Sequence, residues 1–358
     1  MDTSGTAPAQ APAHARVTFG LDTFGDVTVD LTGRAVPAHQ VIRDVVEQGV
    51  LADEVGIDHF SVGEHHRDDF AISAPEIVLA AIAARTERIT LGSAVTVLSS
   101  DDPVRVYERF ATIDAVSDGR AEITVGRGSF IESFPLFGFD LADYEVLFEE
   151  KLDLLVHLRS EEPVSWSGTT RAALTAQRVH PTTARGALPV WVGVGGSPES
   201  VIRAARHGLP LMLAIIGGAP ARFRPFVDLF RRATAESPLP VGVHSPGFVA
   251  ATDAEALDLL YPHFKANRDR IGRERGWPPV TRAEYEKEAA EGALFVGSPE
   301  TVARRIAEAV SALGVERFDL KYANGTMPHE HLLRAVELYG TEVVPQVREL
   351  LEAGVRTR

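Results

Sequence analysis

A (β/α)8 barrel of the α/β class, carrying insertions, is the fold the sequence predicts, on three observations. Eight short apolar runs alternate with segments of helical periodicity along 358 residues, the alternation that builds a parallel sheet covered by helices. The runs are continuously apolar, as strands buried on both faces are. Each run stops at a Gly-rich or charged turn, and in a closed barrel all such strand ends gather on one rim, where active sites of this fold lie. A doubly wound open sheet is the alternative with the same alternation.

Taken in order, residues 16–22 (RVTFGLD) read as the first strand, and 39–56 as a helix because Val41, Ile42, Val45, Val46 and Val50 recur at helical spacing. Strand 57–63 runs into Glu64-His65-His66-Arg67; a helix over 74–85 and a strand over 89–98 (ITLGSAVTVL) repeat the unit. Pro103 opens a helix to 116, Ser117-Asp118-Gly119 turns into strand 121–125, and that strand ends in Gly126-Arg127-Gly128-Ser129. Helix 143–159 precedes a polar excursion over 160–188 with little periodicity. The fifth strand, 189–194, stops at Gly195-Gly196. Ser197 is then a good N-cap, Pro198 suits the first helical position and Glu199 complements the dipole of a helix to about residue 207. Strand 209–216, helix 220–235, strand 240–250 and helix 254–270 follow, then a second excursion over 272–292. Helix 299–312, capped by Ser298, strand 317–322 and helical sequence from 328 to about 351 complete eight units. One domain is expected over 16–358, the excursions accounting for length beyond the usual ~250 residues, with the Ala/Pro-rich residues 1–15 as a disordered tail.

A formal charge of -14 without basic clusters argues against nucleic acid or an anionic membrane as partner. No apolar run approaches the ~20 residues of a membrane span. The N-terminus lacks the apolar core of a signal peptide, so a cytoplasmic location is expected. With no cysteine, thiolate nucleophiles, zinc–thiolate sites and iron–sulfur clusters are excluded.

The turn at Gly195, Gly196 and Ser197 is either an ordinary βα connection or an anion site. In the second case the free N–H groups of the helix, with the hydroxyls of Ser197 and Ser200, would hold a phosphate. Dinucleotide binding is rejected, because Pro198 stands where G-x-G-x-x-G needs its third small residue. Arg127, between two glycines after a strand, can reach over the rim to a phosphate or carboxylate, or form a rim ion pair. No metal is expected at Glu64-His65-His66, since adjacent positions project differently and His-x-x-x-His spacing is missing. Glu64 is expected to hold a neighbouring side chain, and one histidine to face the mouth with a pKa suited to proton transfer near neutrality. Phe130, Phe134 and Phe137 either line an apolar substrate pocket or pack their own loop.

Four pieces in order, GEHH at 63–66, LGSAVTVLSSDDPVRVYERFATIDAVSDGRAEITVGRGS at 91–129, GVGGSPESVIRAARHGLP at 193–210 and GSPETVARRI at 297–306, resemble the bacterial luciferase-like flavin-dependent monooxygenases. The resemblance implies a luciferase-like TIM barrel with FMN on its C-terminal rim. It places Arg127, Ser197 and Ser200 on the flavin phosphate, with Gly195 and Gly196 beside them. Ala94, Val95 and Thr96 fall where the family often has a non-proline cis peptide beneath the flavin ring, and His65 matches the imidazole used in oxygenation. Gly196 replaces an acidic residue of luciferase and Gly126 a cysteine near the ring, so light emission is not expected. The implied chemistry is oxygenation of a small organic substrate by reduced FMN and dioxygen through a flavin hydroperoxide. Reduced flavin would come from a partner flavin reductase, and the protein would be a homodimer. A deazaflavin-dependent dehydrogenase or reductase of the same barrel, or a non-catalytic flavin-binding protein, are the alternatives. The segments 128–144, 160–188 and 272–292 are the expected covers of the site.

Overall fold

The computed structural model describes residues 17–128 and 130–356; the tail expected at 1–15 lies outside them, as does Ser129. Eight strands, β1 (Thr18–Thr23), β2 (His59–Val62), β3 (Thr90–Ser93), β4 (Ala121–Gly126), β5 (Val190–Val194), β6 (Leu211–Ala214), β7 (Val241–Val249) and β8 (Arg317–Lys321), pair in parallel with their sequence neighbours. β8 pairs with β1, so the sheet closes on itself. The closed parallel barrel with its helices outside is the predicted fold, and the open sheet is ruled out.

Closure has a simple chemical basis. Side chains such as Phe19, Leu21, Phe60, Ile123 and Phe318 are fully buried in one apolar shell with the helices around the strands. Facing the axis, the alternate positions are different. Arg317 on β8 reaches across to Glu122 on β4 (2.5 Å) and to Asp319 (2.9 Å), and lies over the Trp191 ring on β5. His59 stands 3.7 Å from the same Glu122. Gly20 makes room for this cluster, since a Cβ there would sit 2.3 Å from Asp319 Oδ1. The apolar layer lies between sheet and helices, and the barrel axis is ionic.

Three expectations are corrected. The strand read as 89–98 breaks after Ser93 at a cis peptide between Ala94 and Val95, and Thr96–Val97 resumes pairing with the end of β4. The first excursion contains an antiparallel hairpin, Val164–Trp166 with Leu174–Gln177. The second is mostly helical: the preceding helix runs Asp253–Arg275 to the left-handed Gly276, and a further helix spans Arg282–Glu291. Only Tyr285 and Ala289 of that further helix are buried, too few for hydrophobic periodicity to reveal it. Its signal was a capping box, Thr281 with Glu284. A π-helical turn, Tyr339–Val343, also interrupts the C-terminal helical stretch. Among the described residues no helix is long and apolar enough to cross a membrane.

Candidate functional site

The C-terminal ends of β4 and β5 bring the expected anion-binding residues together. Ser197 caps the helix Pro198–Arg206, its Oγ accepting from the Ser200 N–H at 3.2 Å. Ser200 Oγ in turn lies 3.1 Å from Ser197 Oγ, 3.3 Å from Arg127 Nη2 and 3.4 Å from Arg203 Nη1. Arg203, which sequence reasoning missed, thus joins Arg127; three residues beyond Ser200 on one helix, it was findable from spacing. A single carboxylate now spans both guanidinium groups: Glu145 Oε1 pairs with Arg127, and Oε2 lies 2.9 Å from Arg203. Of the two readings of Arg127, the rim ion pair is the one formed here, with Glu145 as its partner. Glu145 is 62% exposed, and Arg203 is further held by Glu149 at 2.6 Å. Beside them the backbone is bare. Gly196 has φ +104°, which disfavours any side chain, and a Cβ on Gly195 would meet nothing within 4 Å.

Next along the rim lies the cis Ala94–Val95 peptide. Val95 occupies space that only glycines opposite could leave: a Cβ on Gly126 would come 2.7 Å from it, and one on Gly193 2.9 Å. Glycine at 126 is thus coupled to valine at 95. Glu64 secures this step from below, its N–H donating to Val95 O at 3.2 Å while its Oε2 accepts from Val97 N–H at 2.8 Å. Its Oε1 lies 2.8 Å from His66 Nε2, so Glu64 holds a neighbouring side chain as expected. The Thr96 hydroxyl is buried and donates to Ser93 Oγ (2.9 Å), so that side chain is committed beneath the floor.

His65 points into an aromatic cage. Phe70, Phe24 and Phe130 lie 4.3, 4.7 and 5.4 Å away between ring centres. Burial first, then the charges of Lys321 and Arg67 and the ring of His66, push its pKa down to about 3. The expectation of an imidazole titrating near neutrality is therefore corrected: His65 is neutral at physiological pH. Unfolded, the ring takes a proton at about 6.5, so stability falls as pH drops from there towards 3. His65→Phe, which removes the titration and keeps a ring, is expected to flatten that acid-side loss in urea titrations at several pH values.

The three phenylalanines divide. Phe130 covers His65, Phe134 is buried against Tyr144, and Phe137 is half exposed with its edge to His66. Phe130 is pinned by Arg67, whose guanidinium lies 4.4 Å from the ring centre and binds Glu132 at 2.6 Å and Glu274 at 2.7 Å. Segments from three parts of the chain so meet above His65. Behind Glu64 and His66 opens a cavity of about 280 Å³, walled by ion pairs of Arg109 with Asp101 and of Arg171 with Asp102. Neither Arg127, Ser197, Ser200 nor His65 lines it, so it lies apart from the rim residues gathered at the ends of β4 and β5. Sequence reading also missed a buried pair at the mouth, Asp22 on β1 with His244 on β7, joined at 2.7 Å. Among the described residues no group of three or more His, Asp or Glu could hold a metal ion.

A family model described as luciferase-like monooxygenase matches residues 18–317. The chain belongs to the luciferase-like monooxygenase family. It is 28% identical over 340 residues to 4-hydroxyprotoasukamycin monooxygenase of Streptomyces nodosus subsp. asukaensis, covering 88% of this chain and 89% of that one. Its fold matches the oxygenating constituent of 3,6-diketocamphane monooxygenase from Pseudomonas putida, solved with FMN. The TM-score there is 0.74 at 20% identity, covering 93% of this chain and 99% of that one. An F420-dependent secondary alcohol dehydrogenase, solved with an F420-acetone adduct, gives TM-score 0.70 at 18% identity, again over 93% of this chain and 99% of that one. The luciferase-like barrel is thus shared by FMN and deazaflavin enzymes, and the family alone does not choose between them.

Proposed function

We propose that this luciferase-like monooxygenase binds reduced FMN at the β4–β5 rim and uses dioxygen to oxygenate a small organic substrate. The observation that carries the reading is the Glu145 carboxylate bridging Arg127 and Arg203 over Ser200: it stands where the two outer oxygens of a flavin phosphate would be taken. The open backbone at Gly195 and the Val95 floor fit a flat ring extending from that phosphate. Reduced flavin supplies the oxygen activation when bound.

The chain's own residues orient, shield and handle protons. Arg127, Arg203, Ser197 and Ser200 hold the anionic end, while Ala94, Val95 and the backbone of Thr96 support the ring. Neutral His65, whose cage opposes the charged ring, offers a hydrogen bond at the mouth, and Phe130 with its Arg67 latch excludes water that would divert the oxidant. A flavin reductase as partner, a homodimeric state and a cytoplasmic location belong to the same reading. Ile77, 67% exposed on the helix Pro75–Ala83, supplies apolar surface for a second copy.

Oxygen uptake with reduced FMN, measured with ¹⁸O₂ across aldehyde, amine and aromatic substrates, tests the reaction: label in the product is expected. Turnover only with reduced deazaflavin, and no label, would move the protein to the hydride-transfer branch. His65→Ala should lower coupled turnover by roughly three- to tenfold, the loss of one hydrogen bond worth about 0.5–1.5 kcal/mol. An unchanged rate would remove that role. Glu145→Gln should tighten FMN binding by about 1.4- to fivefold, the release of an exposed ion pair worth ~0.2–1 kcal/mol, and leave riboflavin binding alone. Equal change for both ligands in fluorescence titrations would detach Glu145 from the phosphate.

A further inference from the structure

His65 is left neutral by its cage, so a reaction that needs a proton delivered at the mouth needs another donor. The pair missed in the sequence supplies one. Asp22 Oδ2 lies 2.7 Å from His244 Nδ1, and since a carboxylate only accepts, Nδ1 carries the hydrogen and Nε2 is the atom that gains and loses a proton. Asp22 is 1% exposed, and its other oxygen, Oδ1, is buried without a partner among the described residues. His244 keeps 11% exposure and stacks on Phe24 at 6.1 Å, and the same ring lies 4.7 Å from His65. The two imidazoles thus contact one ring.

We propose that Asp22 and His244 form the proton donor of the barrel mouth, His244 Nε2 giving its proton to an oxygen-centred anion produced in the reaction. The ring is left neutral, its Nδ1–H still held by Asp22, and recovers the proton from water. The groups that act most strongly on His244 are named by their place in the barrel. Burial works hardest against the charged ring, Lys321 on β8 also opposes it, and Asp22 with Asp319 outweighs both, so its pKa is raised. On the other flank, β6 sets uncharged Ala214 opposite His244. His65 pushed down and His244 pushed up is the separation that divides base from acid between two like groups. The identity of the acceptor rests on the proposed oxygenase reading; the protonation state of the pair does not.

The test has two arms. In the flavin-free protein with ¹³C-labelled histidine, the His244 signal, assigned by its loss in His244→Gln, is expected to titrate above 6.5 and to fall in Asp22→Asn. In turnover with whichever reduced flavin proves active, His244→Gln should lose about 10²- to 10⁴-fold in kcat, as for other general acids. Asp22→Asn should move the alkaline limb of the kcat profile to lower pH with flavin affinity unchanged. A His244 that titrates below 6.5, or an Asp22→Asn profile that keeps its alkaline limb, overturns the donor. So does a loss confined to flavin affinity or folding. A normal titration in a protein that turns over no flavin overturns the oxygenase reading instead, so the two failures are distinct.

Discussion

Arg317→Met is expected to destabilise the barrel by about 3–5 kcal/mol, the cost of leaving buried charge without its partner. The side chain is only 2% exposed and is shared by Glu122 across the axis and Asp319 two residues along β8. Burial would push the Glu122 carboxyl up, yet Arg317 and then His59 hold it down at about 2. A carboxylate depressed in the folded state contributes stability that is present above its unfolded pKa, about 4.5, and is lost as pH falls towards 2. In Arg317→Met the sign turns: Glu122 becomes easier to protonate than in the unfolded chain, so the variant loses less at pH 4 than at pH 7. Urea unfolding at both values measures this. A loss under about 1 kcal/mol at pH 7 would mean that the ionic axis is not what closes the cylinder. Replacing Glu122 and Asp319 together with Arg317 should recover much of the loss, because no charge is then left alone.

Arg127→Ala is expected to weaken FMN binding by roughly 10- to 100-fold, a charge-assisted contact being worth about 1.5–3 kcal/mol. Riboflavin, which lacks the phosphate, should bind the variant and the parent alike. Arg203 shares the load, so Arg203→Ala should weaken FMN in the same direction and the double variant more than either. The loss should shrink as salt rises, since Arg127 is 27% exposed and screening reaches it. Equal loss for riboflavin in fluorescence titrations would place Arg127 in the frame of the rim rather than on the phosphate.

Much of this was readable along the chain, for a physical reason that differs between parts. Helix Pro198–Arg206 was legible almost to the residue because its cap, its first-turn proline and its closing glycine are local. The place of Arg127 followed from strand order and a glycine on each side. The bend at Ala94–Val95 came only from resemblance, since composition and periodicity run straight through it. Helix Arg282–Glu291 escaped because two buried residues make no periodic face, although its capping box was written in the sequence.

By itself, the sequence determined the barrel, the rim on which its strand ends collect, and the capped start of helix Pro198–Arg206, because periodicity, caps and turns act over a few residues. Only the tertiary structure decided the protonation of His65, the Glu145 bridge and the union of Asp22 with His244, 222 positions apart. Desolvation and Coulomb forces depend on distance through space, and closing a cylinder sets those distances for residues that the chain keeps far apart.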